Sequence, residues 1–356
     1  MDAVDAGGPT LRSVLERNPD ALAIAAERDA ERTAGRMRGP LHGIPVLVKG
    51  NVDTADRMDS TAGSAALAGV RAPRDAFIIA RLREAGAVIL GKTNLSEWAN
   101  FRSAHASSGW SGLGGQTRNP YALDRSPSGS SSGTGSAIAA NLGAVGIGTE
   151  TDGSITSPAS CQGLVGIKPT IGLVSRSGII PIAHSQDTAG PMTRTVTDAV
   201  LLLSAMSGVD ARDGATAAQR AHAADLRAAL VSGGLTGLRI GIPRKVYFGY
   251  HPGADRIAEQ AIAALRDAGA TIIDHADLAG AGSYGDAEYE VLLYEFKADL
   301  PAYLAARGHP NGMRSMADLI AFNAKDAARE MPIFAQEIME MAEKKGPSGT
   351  PERLKA

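Results

Sequence analysis

The sequence predicts an α/β fold in which helices cover both faces of a central β-sheet. Short apolar segments of strand length alternate along the chain with longer segments whose apolar residues recur at helical spacing. Glycine and proline separate most of these segments, as they do between regular elements. The composition, 44% hydrophobic and 21% charged, is that of a globular chain. With 356 residues, the chain is long enough for one large α/β domain or for two domains of average size.

The first part of the chain is predicted to contain two helices and two strands. The first forty residues look helical, with apolar positions at helical spacing in "DALAIAAERDAERTAG" and a stop at "GRMRGP". The apolar run "IPVLVKG" predicts a short buried strand that ends in Lys49. After it, "DAFIIARLREAG" predicts a helix, and the apolar run that follows predicts a strand from Ala87 to Leu90.

The same alternation continues through the rest of the sequence. A helix in "SAIAANLG" and a strand in "AVGIGT" are predicted beside a glycine-rich zone, and "TDAVLLLSAMSG" predicts an apolar helix. A strand, an amphipathic helix and a strand are predicted in "GLRIGIPRKV", "ADRIAEQAIAALRDAG" and "ATIIDHADL". The polar, alanine-rich segment from Asp210 to Leu226 is expected to leave the core. The terminal "REMPIFAQEIMEMAEKK" predicts one amphipathic helix before a polar end.

Charge and cysteine content exclude several classes of partner and compartment. A net charge of −2 and an aromatic content of 4% provide neither a basic surface nor stacking platforms for nucleic acid, and no electrostatic attraction to an anionic membrane. The single cysteine, Cys161, rules out an internal disulfide framework and is expected to be a buried structural thiol. No signal peptide and no apolar run of membrane-spanning length is visible. We therefore expect a cytoplasmic protein.

Three short motifs match known signatures but lie in the wrong context. Gly86–Thr93 fits the phosphate-loop pattern, although its central residues form the predicted strand themselves, so Lys92 is expected to be a strand-end surface lysine. Gly129–Gly133 fits the nucleophile-elbow pattern G-x-S-x-G without a preceding strand. Gly280–Gly285 contains an isolated G-x-G-x-x-G, which is better explained as loop glycines.

The histidines are scattered, and none of their spacings is that of a metal site. We therefore expect no metal and no cofactor. They stand at His42, His105, His184, His222, His251, His275 and His309.

The polar stretch "SPSGSSSGTGS" from Ser126 to Ser136 is the most unusual segment of the chain. A nucleophilic serine requires a base, and no histidine is placed to serve as one. A lysine can take that role when desolvation lowers its pKa and leaves the amine neutral. Lys49 closes the apolar run "GIPVLVK", which is a position where a chain buries an amine. Lys49 is therefore the candidate base.

These segments resemble the amidase signature hydrolases. The resemblance spans most of the chain and is densest from His42 to Met206, in "GPLHGIPVLVKGN", "RNPYALDRSPSGSSSGTGSA", "GTETDGSITSPASCQGLVGIKPT" and "SQDTAGPMTRTVTDA". Within the family, "SGSSSG" together with "GTETDGS" is most similar to the peptide-amidase-like branch. The resemblance implies one amidase signature domain over residues 1–356 with its core at 42–206. It also implies a mixed central sheet with helices on both faces.

The resemblance further implies a catalytic triad of lysine, a serine in a cis peptide and a nucleophilic serine. By motif position these are Lys49, Ser130 and Ser154. The backbone N–H groups of Thr151, Asp152, Gly153 and Ser154 would form the oxyanion hole. The implied reaction is hydrolysis of a linear amide through a serine acyl-enzyme, which releases ammonia or an amine.

Neighbouring residues are assigned supporting roles. Ser131 and Ser132 are expected to support the serine loop, and Ser131, Trp98 and Phe101 are candidates for the substrate pocket. The chain departs from the family pattern at several positions near the triad, among them Glu150 and Asp152, which fit the peptide-amidase-like branch. Gly50 stands where the family usually has aspartate after the lysine, and Thr156 stands where arginine commonly follows the nucleophile motif.

Two other functions remain open at this point. One is a transamidase subunit that works on a charged transfer RNA together with partner subunits; the other is a non-catalytic relative that only binds. The expected partner is a small-molecule or peptide amide, with no nucleic acid and no membrane. The sequence also looks shortened at both ends relative to the family, which predicts an exposed apolar face and possible homo-oligomers.

Overall fold

The computed structural model describes residues 1–221, 226–230, 234–347 and 349–356. It falls into two compact units, one formed by Met1–Ala228 with Leu292–Thr350 and the other by Ala229–Val291 with Pro351–Ala356. The single domain over residues 1–356 stays a prediction. In the part of the chain just defined, no helix is both long enough and apolar enough to cross a membrane.

The larger unit is built on a mixed sheet of six strands in the order β1-β3-β2-β6-β8-β7. The strands of the chain are β1 Val14–Arg17, β2 Pro45–Lys49, β3 Val88–Thr93, β4 Trp110–Ser111, β5 Gly115–Gln116, β6 Val145–Glu150, β7 Val165–Gly166, β8 Thr188–Thr193, β9 Arg239–Ile242 and β10 Thr271–Asp274. Strand β2 is parallel to both of its neighbours, β3 and β6, whereas β1, β7 and β8 pair antiparallel. In the smaller unit β9 and β10 pair in parallel.

The helices are numbered in chain order. They are α1 Ala21–Thr33, α2 Phe77–Glu84, α3 Ser132–Ala139, α4 Thr156–Cys161, α5 Val196–Met206, α6 Pro252–Asp267, α7 Gly285–Ala306, α8 Met316–Lys325, α9 Ala327–Glu330, α10 Glu337–Glu343 and α11 Pro351–Lys355. Short 3-10 segments lie at Ala65–Leu67, Glu97–Asn100, Gly214–Ala221, Leu226–Ala229 and Pro310–Gly312.

The side-chain alternation of β2 shows that both faces of the main sheet are covered. Val46 and Val48 are buried in the core cluster that includes residues of α2 and α5. Leu47 is buried with Ala137 and Ile138 of α3 on the opposite face. The predicted α/β class with a mixed sheet and helices on both faces is confirmed. Because Lys49 alternates in step with Leu47, it faces the α3 side.

Helix α3 explains why the serine-rich stretch contains so many small residues. A Cβ atom at Gly133 would lie 2.4 Å from the backbone oxygens of Ser13 and Asn94, and one at Gly135 would lie 2.2 Å from the Gln162 side chain. Only glycine permits so close an approach of this helix to its neighbours. The helix begins at Ser132, before the predicted "SAIAANLG" segment.

Two sequence predictions about the ends of the chain are wrong. The first forty residues are not uniformly helical, because Val14–Arg17 forms β1 and pairs with β3. Four residues carry too little pattern to reveal a strand whose pairing depends on a distant partner. The terminal segment is not one helix either. Helices α9 and α10 lie on either side of Pro332, which has no backbone N–H to continue a helix.

The predicted excursion from Asp210 to Leu226 is only partly described. It contains the 3-10 segment Gly214–Ala221, while residues 222–225, including His222, lie outside the described residues. The strand, helix and strand predicted from "GLRIGIPRKV" onward are confirmed as β9, α6 and β10.

Candidate active site

The candidate site lies at the carboxyl ends of two adjacent parallel strands. Lys49 is the last residue of β2, and Thr149 and Glu150 end β6. The two strands pair with Val48 opposite Ile147, so both ends reach the same edge of the sheet. Ser130 comes just before α3, which packs across this face. The topology thereby gathers side chains that are 81 and 100 residues apart along the chain.

Lys49 is fully buried, and its amine has three oxygen neighbours. Nζ lies 2.8 Å from Ser130 Oγ, 2.9 Å from Thr149 Oγ1 and 3.2 Å from the Thr149 carbonyl oxygen. Burial lowers the pKa of Lys49 to about 7, although the charges of Glu150 and Asp187 oppose that shift. A neutral amine can donate to both Thr149 oxygens and keep its lone pair for Ser130.

A backbone hydrogen bond joins the segments that contain Ser130 and Ser154. The Gly129–Ser130 peptide bond is cis. The Ser131 N–H donates to the Ser154 carbonyl oxygen over 3.1 Å, which joins the two serine segments. Ser131 Oγ donates to the Thr149 carbonyl oxygen at 3.1 Å and accepts from the Thr149 N–H at 3.2 Å. Its hydroxyl is thus engaged in joining the serine loop to β6.

The segment Thr151–Ser154 has free backbone N–H donors, and the residue that follows it is held by a hydrogen bond. In the described part of the chain, no protein acceptor is hydrogen-bonded to the N–H of Asp152, Gly153 or Ser154. Gly153 has a φ of 73°, a left-handed conformation that favours glycine. On the far side, the Glu150 carboxylate accepts from the Ile155 N–H at 2.6 Å, which anchors the start of α4.

A cavity of about 430 Å³ opens beside this segment. Thr149, Glu150 and Thr151 form part of its lining. The apolar run Ile179–Ile182 and Asp187 also belong to the lining. A volume of this size suits a small ligand. The cavity therefore reaches the end of β6 and Thr151, whereas Lys49, Ser130 and Ser154 are not part of its described lining.

The three predicted pocket residues lie in different places. Trp98 is buried and lines a much smaller cavity, which shares Asn51 and Ile180 with the large one. Phe101 packs edge-on against Phe296, with 5.4 Å between ring centroids, and is absent from the large cavity's described lining. Ser131 also does not belong to that lining.

Gly50 has a packing reason that the sequence did not reveal. A Cβ atom there would lie 3.1 Å from the Thr93 carbonyl oxygen and 3.2 and 3.3 Å from Leu15 and Leu95. These contacts are tighter than ordinary van der Waals distances, so a larger residue would require its neighbours to move. The tight packing around residue 50 therefore explains why a glycine follows Lys49.

Two residues judged from the sequence are placed differently in the structure. Lys92 is not a surface lysine: it is buried, its Nζ donates to the Val52 carbonyl oxygen, and it donates to Ser60 Oγ at 2.8 Å. Cys161 is not a buried thiol: it ends α4 and is exposed. In both cases the prediction rested on neighbouring residues in the sequence, whereas packing between distant segments decided the burial.

Asp187 is a site residue that sequence reasoning did not single out. It immediately precedes β8, lines the large cavity and accepts a hydrogen bond from Thr151 Oγ1 at 2.6 Å. Burial raises its pKa to about 6. The only sequence signal for Asp187 was its position within "SQDTAGPMTRTVTDA", one of the segments that resemble the family.

Comparison with known proteins gives one consistent family. Residues 2–348 match the Amidase family. The chain is 43% identical to a probable amidase of Arabidopsis thaliana, over 99% of this chain and 69% of that protein. It is also 43% identical to a glutamyl-tRNA(Gln) amidotransferase subunit of Chloroflexus aurantiacus, over 76% of this chain and 54% of that protein.

Among solved structures, native peptide amidase from Stenotrophomonas maltophilia superposes with a TM-score of 0.96 at 52% identity. That alignment covers 99% of this chain and 72% of the peptide amidase. Since the family match extends over nearly the whole chain and the fold agrees with it, the chain belongs to the amidase family.

Proposed function

We propose that the protein hydrolyses amides through an acyl-enzyme on Ser154, with Lys49 and Ser130 relaying the proton. The observation that carries this proposal is the contact of 2.8 Å between Lys49 Nζ and Ser130 Oγ inside the protein core. A buried lysine whose pKa is lowered to about 7 is substantially neutral at physiological pH. That is the protonation state a general base requires.

In the acylation step, Lys49 accepts the proton of Ser130 while Ser130 accepts the proton of Ser154. The Ser154 oxygen then forms a bond to the amide carbon, and the negative charge develops on the carbonyl oxygen. This charge would be stabilised by the free N–H groups of Asp152, Gly153 and Ser154 together with that of Thr151. As the carbon–nitrogen bond breaks, Ser130 gives its proton to the leaving ammonia or amine and regains one from Lys49, which becomes neutral again.

Deacylation uses the same relay in the same direction. Ser130, backed by Lys49, accepts a proton from water, whose oxygen bonds to the acyl carbon. The bond to Ser154 breaks, Ser154 regains its proton from Ser130, Ser130 regains one from Lys49, and the carboxylic acid product leaves. No metal or cofactor enters any step.

For the substrate we propose a peptide that ends in a carboxamide. The proposal is supported by the similarity to peptide amidase and by a cavity of about 430 Å³ with an apolar wall at Ile179–Ile182. A cavity of this size accommodates more than the carboxamide group itself. Hydrolysis would release ammonia and leave a peptide with a free carboxylate.

The test compares the unchanged protein with Ser154→Ala on a peptide carboxamide, with ammonia release as the readout. We expect the unchanged protein to turn over and to be labelled by a fluorophosphonate on Ser154. The alanine variant should lose both properties and keep its melting temperature. Ser160→Ala, a matched change of an exposed serine on α4, should keep both. Full turnover in Ser154→Ala would exclude this mechanism.

The observation that supports the transamidase alternative is the 43% identity to the amidotransferase subunit of Chloroflexus aurantiacus. It predicts glutamine hydrolysis and little turnover of peptide carboxamides unless partner proteins are present. A non-catalytic relative would show neither activity and no label. The cytoplasmic location and the possible homo-oligomer stay predictions; light scattering on the purified chain tests the second.

A further inference from the structure

Asp187 connects two parts of the site that are distant in sequence. One carboxylate oxygen accepts from Thr151 Oγ1 at 2.6 Å. The other accepts from the backbone N–H groups of Ile182 at 2.8 Å and Ala183 at 3.0 Å. Thr151 begins the segment that ends in Ser154, whereas Ile182 belongs to the cavity wall. A single carboxylate therefore ties the segment with the free N–H donors to the wall that a substrate would touch.

Sheet pairing fixes this arrangement. Strands β6 and β8 are antiparallel, and Glu150 pairs with Thr188 at the end of the ladder. The residues just beyond that pair, Thr151 and Asp187, are consequently brought together where both strands leave the sheet. The position of Asp187 is thus set by the same strands that set the position of Thr149, the neighbour of Lys49.

We infer that Asp187 is a positioning residue of the reaction, which aligns the Thr151–Ser154 segment with the cavity wall through the Thr151 hydroxyl. This inference rests on the proposed function of Ser154. Fixing these N–H donors before the reaction is what makes them effective toward the developing oxyanion, because they then need no reorganisation. Without the Thr151 hydroxyl, the segment would lose its side-chain tie to Asp187.

The charge of Asp187 has a second consequence, at Lys49. The charges of two carboxylates raise the pKa of the amine, Glu150 at the end of β6 and Asp187 before β8, and burial acts against both. Asp187 itself is held by the donors at Thr151, Ile182 and Ala183, while burial and the charge of Asp299 on α7 raise its pKa to about 6. Above that pH Asp187 is ionised and favours the protonated form of Lys49.

The first experiment separates alignment from charge. Thr151→Val removes the hydroxyl and keeps the shape, so kcat should fall by roughly tenfold to a hundredfold, the size expected for a misaligned site, with KM little changed. The pH midpoint should stay where it is in the unchanged protein. Thr151→Ser restores the hydroxyl and should recover most of kcat. Equal kcat in Thr151→Val and the unchanged protein would overturn the inference.

The second experiment removes the charge. Asp187→Asn should shift the acidic limb of the pH–rate profile to lower pH by roughly half a unit or more, as expected for a lost charge–charge interaction. A loss of rate with an unmoved midpoint would support the alignment role and overturn the effect of the Asp187 charge on Lys49. Asp29→Asn on α1, where the aspartate is exposed and paired with Arg32, should leave the profile unchanged.

These outcomes are distinguishable from failure of the proposed function. An unchanged protein without amide turnover and without label on Ser154 would overturn the proposed function itself. An active, labelled protein whose Thr151→Val variant matches it would overturn only the role of Asp187. If Asp187→Asn does not fold, as judged by its thermal melt, the Thr151→Val and Thr151→Ser pair decides the question.

Discussion

Lys49 and Lys92 lie in adjacent parallel strands, and both amines are buried, yet they have different surroundings. In the pairing of β2 with β3, Lys49 stands opposite Thr93 and Val48 stands opposite Lys92. The offset of one residue sends the two lysines to opposite faces of the sheet. Lys49 meets the hydroxyls of Ser130 and Thr149 on the α3 side, whereas Lys92 meets the Val52 carbonyl oxygen and Ser60.

Burial lowers the pKa of both lysines, to about 7 for Lys49 and about 8 for Lys92. Around Lys92 the charges of Asp53, Asp56 and Glu16 oppose the shift. With a pKa of about 8, Lys92 is mostly protonated at neutral pH, so burial alone does not make it a base. The base also needs a contacting hydroxyl that can pass a proton on to a nucleophile. Lys92 contacts the Ser60 hydroxyl, but that hydroxyl donates to the Val52 carbonyl oxygen at 3.0 Å.

The largest expected effect comes from replacing each lysine by methionine. Lys49→Met should lower kcat by about a thousandfold or more, since the proton relay loses its end, as measured by ammonia release. Lys92→Met should keep kcat within roughly tenfold of the unchanged protein, the loss that a modest misalignment causes. Equal losses in both variants would break the comparison.

The relay can be tested further by combining changes. Lys49→Ala and Ser130→Ala should each reduce kcat by orders of magnitude, and the double variant should be little worse than either one. Residues that act as a unit give such non-additive losses. Additive losses would indicate that the two side chains act independently.

The pH dependence of the rate should follow Lys49 rather than Lys92. Because the neutral amine is the active form, kcat/KM should rise with pH through about 7, the lowered pKa of Lys49, and then level off. Lys92→Met should have the same midpoint, which provides the matched control. A rate that falls as the pH rises above about 6 would be incompatible with a lysine base.

Stability should show the opposite ranking. Lys92→Met removes the amine that donates to Ser60 Oγ and one of the two donors to the Val52 carbonyl oxygen, which should cost about 1–3 kcal/mol in the free energy of unfolding. Lys49→Met removes an amine whose protonated form is disfavoured by burial, so it should cost less. Urea unfolding of both variants at neutral pH measures the difference. A larger loss in Lys49→Met would reverse the ranking.

The same lysines predict how stability changes with pH. Between about pH 8 and about pH 10 the folded state holds both lysines less protonated than the unfolded chain does. Unfolding then takes up protons, so the free energy of unfolding should rise with pH over this range. Each methionine variant should have a smaller slope than the unchanged protein. An unchanged slope in both variants would mean that neither pKa is lowered.

The smallest expected effect is that of a chelator. His184, Glu295 and Asp299 lie close enough together to hold a metal ion, and His184 Nδ1 is 2.8 Å from Asp299 Oδ2. The lysine–serine relay needs no metal, so EDTA should leave the rate of ammonia release unchanged. Loss of activity on EDTA treatment, restored by a divalent metal, would point away from Lys49 and toward this cluster.

Much of the fold class could be predicted from local patterns. The apolar runs that became β2, β3 and β6 are short and bounded by glycine, and the helical spacing of α2, α5 and α6 is regular. Strand β1 could not be predicted, because its four residues have no clear alternation and form a strand only by pairing with β3. The long terminal helix was overestimated because its apolar spacing outweighed Pro332 in the prediction.

By itself the sequence determined which residues could take part in the chemistry. The position of Lys49 at the end of an apolar strand, and the family motifs around Ser130 and Ser154, singled out these three side chains, whose roles remain proposals. Their spacing along the chain is a property of the sequence and needs no structure.

Only the tertiary structure decided which of these side chains meet and which polar groups are buried. Strand register places Lys49 and Lys92 on opposite faces, and the β6–β8 pairing brings Asp187 to Thr151. The physical reason is that burial and pKa depend on contacts between segments that are distant in sequence. Composition around Lys92 or Cys161 is a local property, so it could not reveal that the lysine is buried and the thiol exposed.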